Sequence, residues 1–174
     1  MPHINIHLAK TDADFNAARA LSFEWADWQR ETFPEQRKVI DIVFEPVAYA
    51  RTVADLHLIH ARPKGGILLA RLSGNAVGCV MYHEAATGVA EVKRLYVAPE
   101  GRGHALGKAL LTGMFRQMVA DSYEKVVFSS ARFLVHARKL YEEVGFKDAE
   151  LPAGIPPEHR DTVYAMERHL RALA

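Results

Sequence analysis

A glycine-rich turn lies near the middle of the chain, between a strand-like segment and a helical one. The strand-like segment, residues 91–98, ends at Pro99, and apolar residues at helical spacing begin at Leu106. The free N–H groups and the dipole of a helix N-terminus attract anions, and glycines let a ligand approach the backbone closely. The turn and the first helical residues therefore predict a site for a pyrophosphate group. Its candidate residues are Arg102, Gly103, His104, Ala105, Gly107 and Lys108.

Two common nucleotide-binding patterns do not fit this turn. A Walker-type P-loop, G-x-x-x-x-G-K-[ST], fails because the spacing of Gly103 and Gly107 is too short and Ala109 replaces the magnesium-binding hydroxyl. The dinucleotide pattern G-x-G-x-x-G fails because Leu106 occupies the place of its third glycine.

The turn resembles the pyrophosphate motif of the GNAT (Gcn5-related N-acetyltransferase) superfamily, Q/R-x-x-G-x-G/A after a strand ending in V-x-P. Arg102 matches the first position and Gly107 the last, whereas Ala105 replaces the middle glycine. A methyl group there would crowd a CoA phosphate, or be harmless if φ of Ala105 is negative. A second stretch, residues 137–146, is similar to the family's A-x-x-L-Y-x-x-x-G-F segment. Leu134 stands where many members carry an asparagine.

The resemblance implies one acyltransferase domain over residues 1–174, with acetyl-CoA as the acyl donor co-substrate and no metal. The implied fold class is α/β (α+β), the GNAT fold, with a mixed, mostly antiparallel central sheet flanked by helices. The implied reaction moves an acetyl group to a primary amine of a small molecule or peptide by direct attack on the thioester. Backbone groups of Leu95 and Val97 would hold the pantetheine arm, and an N–H there would stabilise the oxyanion. The acceptor and the length of the acyl group stay open.

Tyr141 falls on the tyrosine that family members use as a general acid near the sulfur. A phenol with a pKa of about 10 can protonate a thiolate whose conjugate acid has a pKa of about 8.5. The alternative is that Tyr141 is only a core aromatic residue, since it lies on the apolar stripe of its helix.

Glu91 is the first candidate for the general base, because the histone-acetylating branch of the superfamily carries its catalytic glutamate at this place. Strand alternation predicts that the odd-numbered residues from Glu91 to Val97 share one face. The alternative is a solvated carboxylate paired with Lys93 or Arg94. Other candidate bases are His83, Glu84 and a chain of water molecules.

Hydrophobic periodicity predicts the elements that position these residues. Residues 4–8 alternate as a half-buried strand, and Thr11 supplies an N-cap for a helix that ends at Phe33. A less regular helix is expected at residues 44–59. The later strands are expected at 67–72, 77–83, 91–98, 125–129 and 162–168, with helices at 106–121 and 133–144.

Size and composition agree with one soluble domain. The formal net charge of +1 gives no basic surface for nucleic acid or an anionic membrane. The single cysteine, Cys79, excludes an internal disulfide and lies in an apolar run typical of a core strand. No signal segment or membrane-spanning stretch is found, so the expected location is cytoplasmic.

His57 and His60 lie three residues apart without a further ligand cluster, so no metal site is expected.

The acceptor region is the least specified part of the sequence. Residues 23–45 interleave aromatic and acidic side chains, which suits a cationic amine or else represents a core stripe with a solvated face. A homodimer is compatible with the resemblance, but no sequence feature specifies an interface. A non-catalytic acyl-CoA-binding sensor on the same fold stays open because of Ala105 and Leu134.

Overall fold

The structure, a computed structural model, describes residues 1–171, and within them seven strands form one sheet flanked by helices. The strands are β1 (Ile4–Leu8), β2 (Gly66–Leu72), β3 (Asn75–Ala86), β4 (Val89–Val97), β5 (Lys125–Ala131), β6 (Lys147–Ala149) and β7 (Val163–His169). The helices are α1 (Asp12–Thr32), α2 (Arg37–Val43), α3 (Pro46–Ala54), α4 (Leu56–Ile59), α5 (Leu106–Ala120) and α6 (Val135–Glu143). The strand order is β1-β2-β3-β4-β5-β7-β6, and each pairing is antiparallel except that of β4 with β5. The expected fold class is confirmed.

Helices cover the two faces of the sheet. On one face α5 buries Leu110, Met114 and Met118 completely against the central strands. On the other face α1 to α4 pack over β2, β3 and β4, where Leu21 is buried together with Cys79. Each large apolar side chain buried in this way contributes about 1.5–3 kcal/mol. The prediction that Cys79 is a core residue is confirmed.

The sequence signals at the ends of α1 are confirmed. The Thr11 hydroxyl accepts a hydrogen bond from the Asp14 N–H, and the Asp14 carboxylate accepts one from the Thr11 N–H. This reciprocal capping satisfies two N–H groups that the first turn of a helix leaves free. The helix ends at Thr32, one residue before Phe33, as expected.

The pairing between β4 and β5 is short and determines the shape of the middle of the sheet. In the described part of the chain the two strands pair at Val89, Ala90 and Glu91 of β4. Beyond that point β5 continues beside β7, whereas β4 stays beside β3. The strands therefore separate after Glu91 and leave one edge of β4 open.

A β-bulge interrupts β4 in this open half. Cys79 of β3 pairs with Tyr96, and Met81 pairs with Lys93, so β4 contains one residue more than β3 over this interval. Arg94, within the extra length, has a φ of 52°. A bulge of this kind changes the direction in which the following side chains point.

The prediction that the odd-numbered residues of β4 share one face is wrong because of this bulge. Glu91 and Lys93 face the layer of α1 to α4, on the same side as Met81. Leu95 and Val97 instead pack with the core beneath α5. The two ends of the predicted face therefore lie on opposite sides of the sheet.

Three elements differ from the sequence prediction. The helix expected at residues 44–59 is two helices, since Glu45 caps α3 through the N–H groups of Val47 and Ala48, and α3 ends before Asp55. The helix α2 was missed because it buries one residue, Ile40, and shows no apolar stripe. The strand β6 was missed because it is three residues long and depends on pairing with β7.

The turn before α5 contains two residues in the left-handed region. Gly103 has a φ of 82°, and Ala105, directly before the helix, has a φ of 54°. The methyl group of Ala105 is therefore not in the harmless conformation of negative φ. A residue with a Cβ atom in this region costs about 1–2 kcal/mol.

We expect Ala105→Gly to raise the free energy of unfolding by about 1 kcal/mol, because glycine enters the left-handed region without a steric penalty. The matched control is Ala109→Gly within α5, where the loss of helix propensity should lower the same free energy by about 1 kcal/mol. Chemical denaturation of both variants measures the difference. Destabilisation by both substitutions would contradict backbone strain at Ala105.

Candidate active site

The turn before α5 has the features of an anion-binding site. Gly103 is exposed, and no atom lies within 4 Å of the position that its Cβ would occupy. Arg102 and Lys108 are exposed and His104 is half-buried, and no acidic residue lies in the first turn of α5. The positive end of the helix and Lys108 border an open groove, where a phosphate group would be stabilised, whereas the Arg102 guanidinium lies 5.3 Å from the centroid of the Trp28 ring.

Gly107 connects the two sequence motifs through packing. A Cβ on Gly107 would lie 2.8 Å from the Cδ2 atom of Leu140 in α6. Glycine at this position lets α6 approach α5 closely. The structure thus gives Gly107 a packing role, besides its predicted place in the pyrophosphate motif.

Leu95 and Val97 lie on the open edge of β4 next to this turn. Both side chains pack against the core that also contains Tyr141. The Arg102 Nε–H donates a hydrogen bond to the Val97 carbonyl at 3.4 Å, so the turn and the strand edge are adjacent. The structure therefore places Val97 in contact with Arg102 of the predicted phosphate-binding turn, and Leu95 lies two residues before it on the same edge.

Tyr141 of α6 is buried on the same side of the sheet. Its exposed fraction is 6%, and its ring centroid lies 3.9 Å from that of Phe128 and 5.3 Å from that of Phe146. Burial raises the pKa of Tyr141 above its usual value. The phenol therefore stays protonated at neutral pH, as a proton donor requires.

Glu91 lies on the other face of the sheet, at the point where β4 and β5 separate and a gap between the two strands begins. Its carboxylate forms an ion pair with Lys93, with 2.6 Å between Oε1 and Nζ. His83 is its cross-strand partner, and burial lowers the pKa of His83 although Glu91 acts to raise it. The His83 ring is therefore neutral near pH 7 and can accept a proton. Glu84 points to the opposite face, where it pairs with Lys64 at 3.2 Å.

Two cavities lie beside these residues. A cleft of about 380 Å³ lies against Glu91, and Ser129, Glu150 and Glu167 contribute to its walls. A larger groove of about 880 Å³ runs between β1 and α5 and reaches Ala105. Neither Glu91 nor Tyr141 lines the larger groove, which is therefore separate from the gap between β4 and β5.

The two histidines considered as metal ligands lie in different surroundings. The His57 Nδ1 is 2.9 Å from an Arg19 guanidinium nitrogen, and the His60 Nδ1 is 2.9 Å from the Tyr82 carbonyl oxygen. Across residues 1–171, no three His, Cys, Asp or Glu side chains are grouped closely enough to hold a metal ion. Over the same residues no helix combines the length and the apolar character needed to cross a membrane.

Several acidic residues of the first helices are engaged in structural contacts. Asp27 and Asp41 each form an ion pair with Arg30 at 3.0 Å. Glu45 caps α3. The aromatic residues pack edge-to-face in the same layer, Trp25 with Phe44 and Trp28 with Phe33. These contacts favour the interpretation of a core stripe with a solvated face.

Arg94 is the residue whose position sequence reasoning missed. It was considered as an ion-pair partner of Glu91, but its Nη1 lies 3.4 Å from the His60 Nε2 instead. Its Nε is buried without a hydrogen-bond partner in the described part of the chain. The one signal in the sequence is a cationic side chain next to Lys93 in the middle of an otherwise apolar strand.

Comparisons with known proteins agree with this geometry. The model of the acetyltransferase (GNAT) family matches residues 22–146. An uncharacterized N-acetyltransferase of Schizosaccharomyces pombe is 39% identical over 90 residues, which cover 51% of this chain and 55% of the relative. Human N-acetylaspartate synthetase is 35% identical over 114 residues, which cover 64% of this chain and 37% of the relative. The chain thus spans about half or less of the length of these relatives.

A solved structure of similar fold is the PaiA N-acetyltransferase from Thermoplasma acidophilum in complex with coenzyme A. The likeness has a TM-score of 0.70 at 17% identity and covers 96% of this chain and 99% of the other. At this level of identity the likeness concerns the fold alone.

Proposed function

Because the chain belongs to the GNAT acetyltransferase family, we propose that it is an N-acetyltransferase that moves an acetyl group from acetyl-CoA to a primary amine of a small molecule or peptide. The observation that carries this proposal is the separation of β4 from β5 after Glu91. The exposed turn of α5 and the open edge of β4 follow that point in the chain, and Tyr141 is buried in the core against which Leu95 and Val97 pack.

The donor half of the site consists of the turn and the strand edge. Backbone N–H groups of the turn and the cations Arg102 and Lys108 bind the pyrophosphate of acetyl-CoA. Backbone groups of Leu95 and Val97 bind the pantetheine arm, which lies beside β4 as an added strand and replaces the contact of the Val97 carbonyl with Arg102. Coenzyme A in the Thermoplasma relative of similar fold supports this donor.

The reaction forms a bond between the amine nitrogen and the thioester carbon and breaks the bond between carbon and sulfur. Tyr141 gives its phenolic proton to the departing thiolate. Burial raises the pKa of the Tyr141 phenol, but the same apolar surroundings also disfavour the thiolate, so the proton transfer keeps its driving force. A backbone N–H on the open edge of β4 stabilises the oxyanion of the tetrahedral intermediate.

The amine must lose a proton before or during its attack, and Glu91 accepts it from the opposite face. The ion pair with Lys93 holds the Glu91 carboxylate in place. His83, neutral and directly across the strand pair, is the second acceptor in reach. Glu84 is excluded from this role by its position on the other face.

Residues 1–174 are proposed to form a single acyltransferase domain. One sheet that includes strands from Ile4 to His169 supports this assignment.

The human relative is named for N-acetylaspartate, but the match spans a minor part of that protein. The acceptor is therefore proposed here at the level of a primary amine.

We expect acetyl-CoA to raise the unfolding temperature, and ATP and NAD at equal concentration to leave it unchanged. Ligand at a hundredfold excess over its dissociation constant adds about 2.7 kcal/mol, which corresponds to about 5–10 °C for a chain of this size. Thermal unfolding with each ligand measures this. No shift at rising acetyl-CoA concentration would overturn the proposed donor site. A shift without acetyl transfer to any amine of a broad panel would indicate the alternative, an acyl-CoA sensor.

Tyr141→Phe should lower kcat by about 10²-fold, because the ring packing remains and the proton donor is lost. The matched control is Tyr164→Phe, which removes a second buried phenol from the same aromatic cluster and should leave kcat unchanged. Release of the CoA thiol over a range of pH gives both values. Full activity of the Tyr141 variant at every pH would exclude the acid role.

Glu91→Gln should lower kcat/KM by about 10²-fold at pH 7, and the loss should shrink as pH rises, because the amine then deprotonates in solution. Glu84→Gln, on the other face of β3, is the control and should behave as the unmodified protein. The readout is the pH profile of acetyl transfer. A profile for the Glu91 variant that coincides with that of the unmodified protein would assign proton removal to His83 or to water.

A further inference from the structure

Arg94 carries a charge that has no ion-pair partner in the described part of the chain. The bulge in β4 turns its side chain toward the layer of α1 to α4, where it meets His60. No Asp or Glu within residues 1–171 comes within ion-pair distance of it, and its buried Nε lacks a hydrogen-bond partner there. A partly buried charge without a counter-ion is costly, so such an arrangement points to an external anion.

The groups around Arg94 do not supply negative charge. Burial lowers the pKa of His60 to about 4, so its ring is neutral at physiological pH. The His60 Nδ1–H donates to the Tyr82 carbonyl, which leaves Nε2 as a neutral acceptor for Arg94. Burial likewise raises the pKa of Tyr49 to about 12, so this nearby phenol is also neutral.

The other charges on this face do not neutralise Arg94 either. Glu91 is paired with Lys93, and His83 is neutral near pH 7 because burial lowers its pKa. Glu24 on α1 is exposed, and its carboxylate accepts a hydrogen bond from the Tyr96 hydroxyl at 3.3 Å. Arg94 therefore has only neutral neighbours, His60 and Tyr49, and no ion-pair partner within residues 1–171.

Resting on the proposed function, we propose that the acceptor is an amine that also carries a carboxylate, as an amino acid does, and that Arg94 binds this carboxylate. A guanidinium group presents paired N–H donors that match the two oxygens of a carboxylate. Glu91 and Arg94 are three positions apart on one face of β4, which is at most about 10 Å along the strand because the bulge shortens it. Arg94 does not line the cleft of about 380 Å³ at Glu91, so the amino acid is proposed to lie over β4 itself, with its carboxylate at Arg94 and its amine toward Glu91.

This proposal replaces the cationic amine considered from the sequence. The donor lies on the opposite side, where Leu95 and Val97 pack, so Arg94 is not required for acetyl-CoA. The residue therefore acts as a binding residue for the acceptor. Its loss is expected to affect KM for the acceptor and to leave donor binding intact.

The experiment compares L-amino acids and β-amino acids with their amides as acceptors. Each pair shares its amine and side chain and differs in the carboxylate alone. The amino group of the amide is less basic than that of the acid, so a larger fraction of it is unprotonated and able to attack. A preference for the acid therefore reports binding of its carboxylate. Release of the CoA thiol gives kcat and KM for both members of each pair.

For the unmodified protein we expect kcat/KM for the preferred acid to exceed that of its amide by about 10²-fold. Arg94→Gln should reduce this ratio to about one by raising KM for the acid, with kcat largely kept. Arg94→Lys keeps the charge without the paired donors and should give an intermediate ratio. This variant also tests the proposal if Arg94→Gln fails to fold. The control is Arg51→Gln, an exposed arginine of α3, which should keep the full ratio.

The outcomes separate this proposal from the proposed function. Equal use of acid and amide, or an unchanged ratio in both Arg94 variants, would overturn carboxylate binding by Arg94 and leave the acetyltransferase assignment intact. A thermal shift with acetyl-CoA but no transfer to any acid or amide would overturn the acetyltransferase assignment and this proposal with it. A collapsed ratio together with an unchanged acetyl-CoA shift in Arg94→Gln supports both.

Discussion

The separation of β4 from β5 is the constraint on which the rest of the site depends. Parallel pairing holds the two strands together from Val89 to Glu91, and beyond it the N–H and C=O groups on one edge of β4 have no neighbouring strand. Free backbone groups in a cleft must be satisfied by water or by a ligand. An extended acyl donor is well suited to this role, since it offers amides in a linear arm.

The elements around the gap are arranged by short chain connections. β4 ends at Val97, and the turn before α5 follows at once, so the positive end of α5 lies at the mouth of the gap. α6 lies against α5 through the contact between Gly107 and Leu140, and its Tyr141 is buried in the core against which Leu95 and Val97 pack. The bulge at Arg94 then divides the surroundings in two, with Leu95 and Val97 on one face and Glu91 and Arg94 on the other.

The sequence predicted those features that depend on local periodicity or on a motif. The capping of α1, the start of α5 and the mixed sheet all follow from such signals, and the turn with Arg102, Gly103 and Ala105 could be located from spacing alone. The faces of Leu95 and Arg94 could not be predicted, because the bulge arises from pairing with β3, which strand alternation does not contain. The left-handed conformation of Ala105 was also hidden, because alanine gives no sign of it in a sequence.

Strand edges with free backbone groups are also the places at which foreign chains add and aggregates grow. In this protein the left-handed Arg94 interrupts the regular spacing along β4 that a second strand would need. The irregularity that places Leu95 and Arg94 on opposite faces therefore also disfavours the pairing of a foreign strand along this edge.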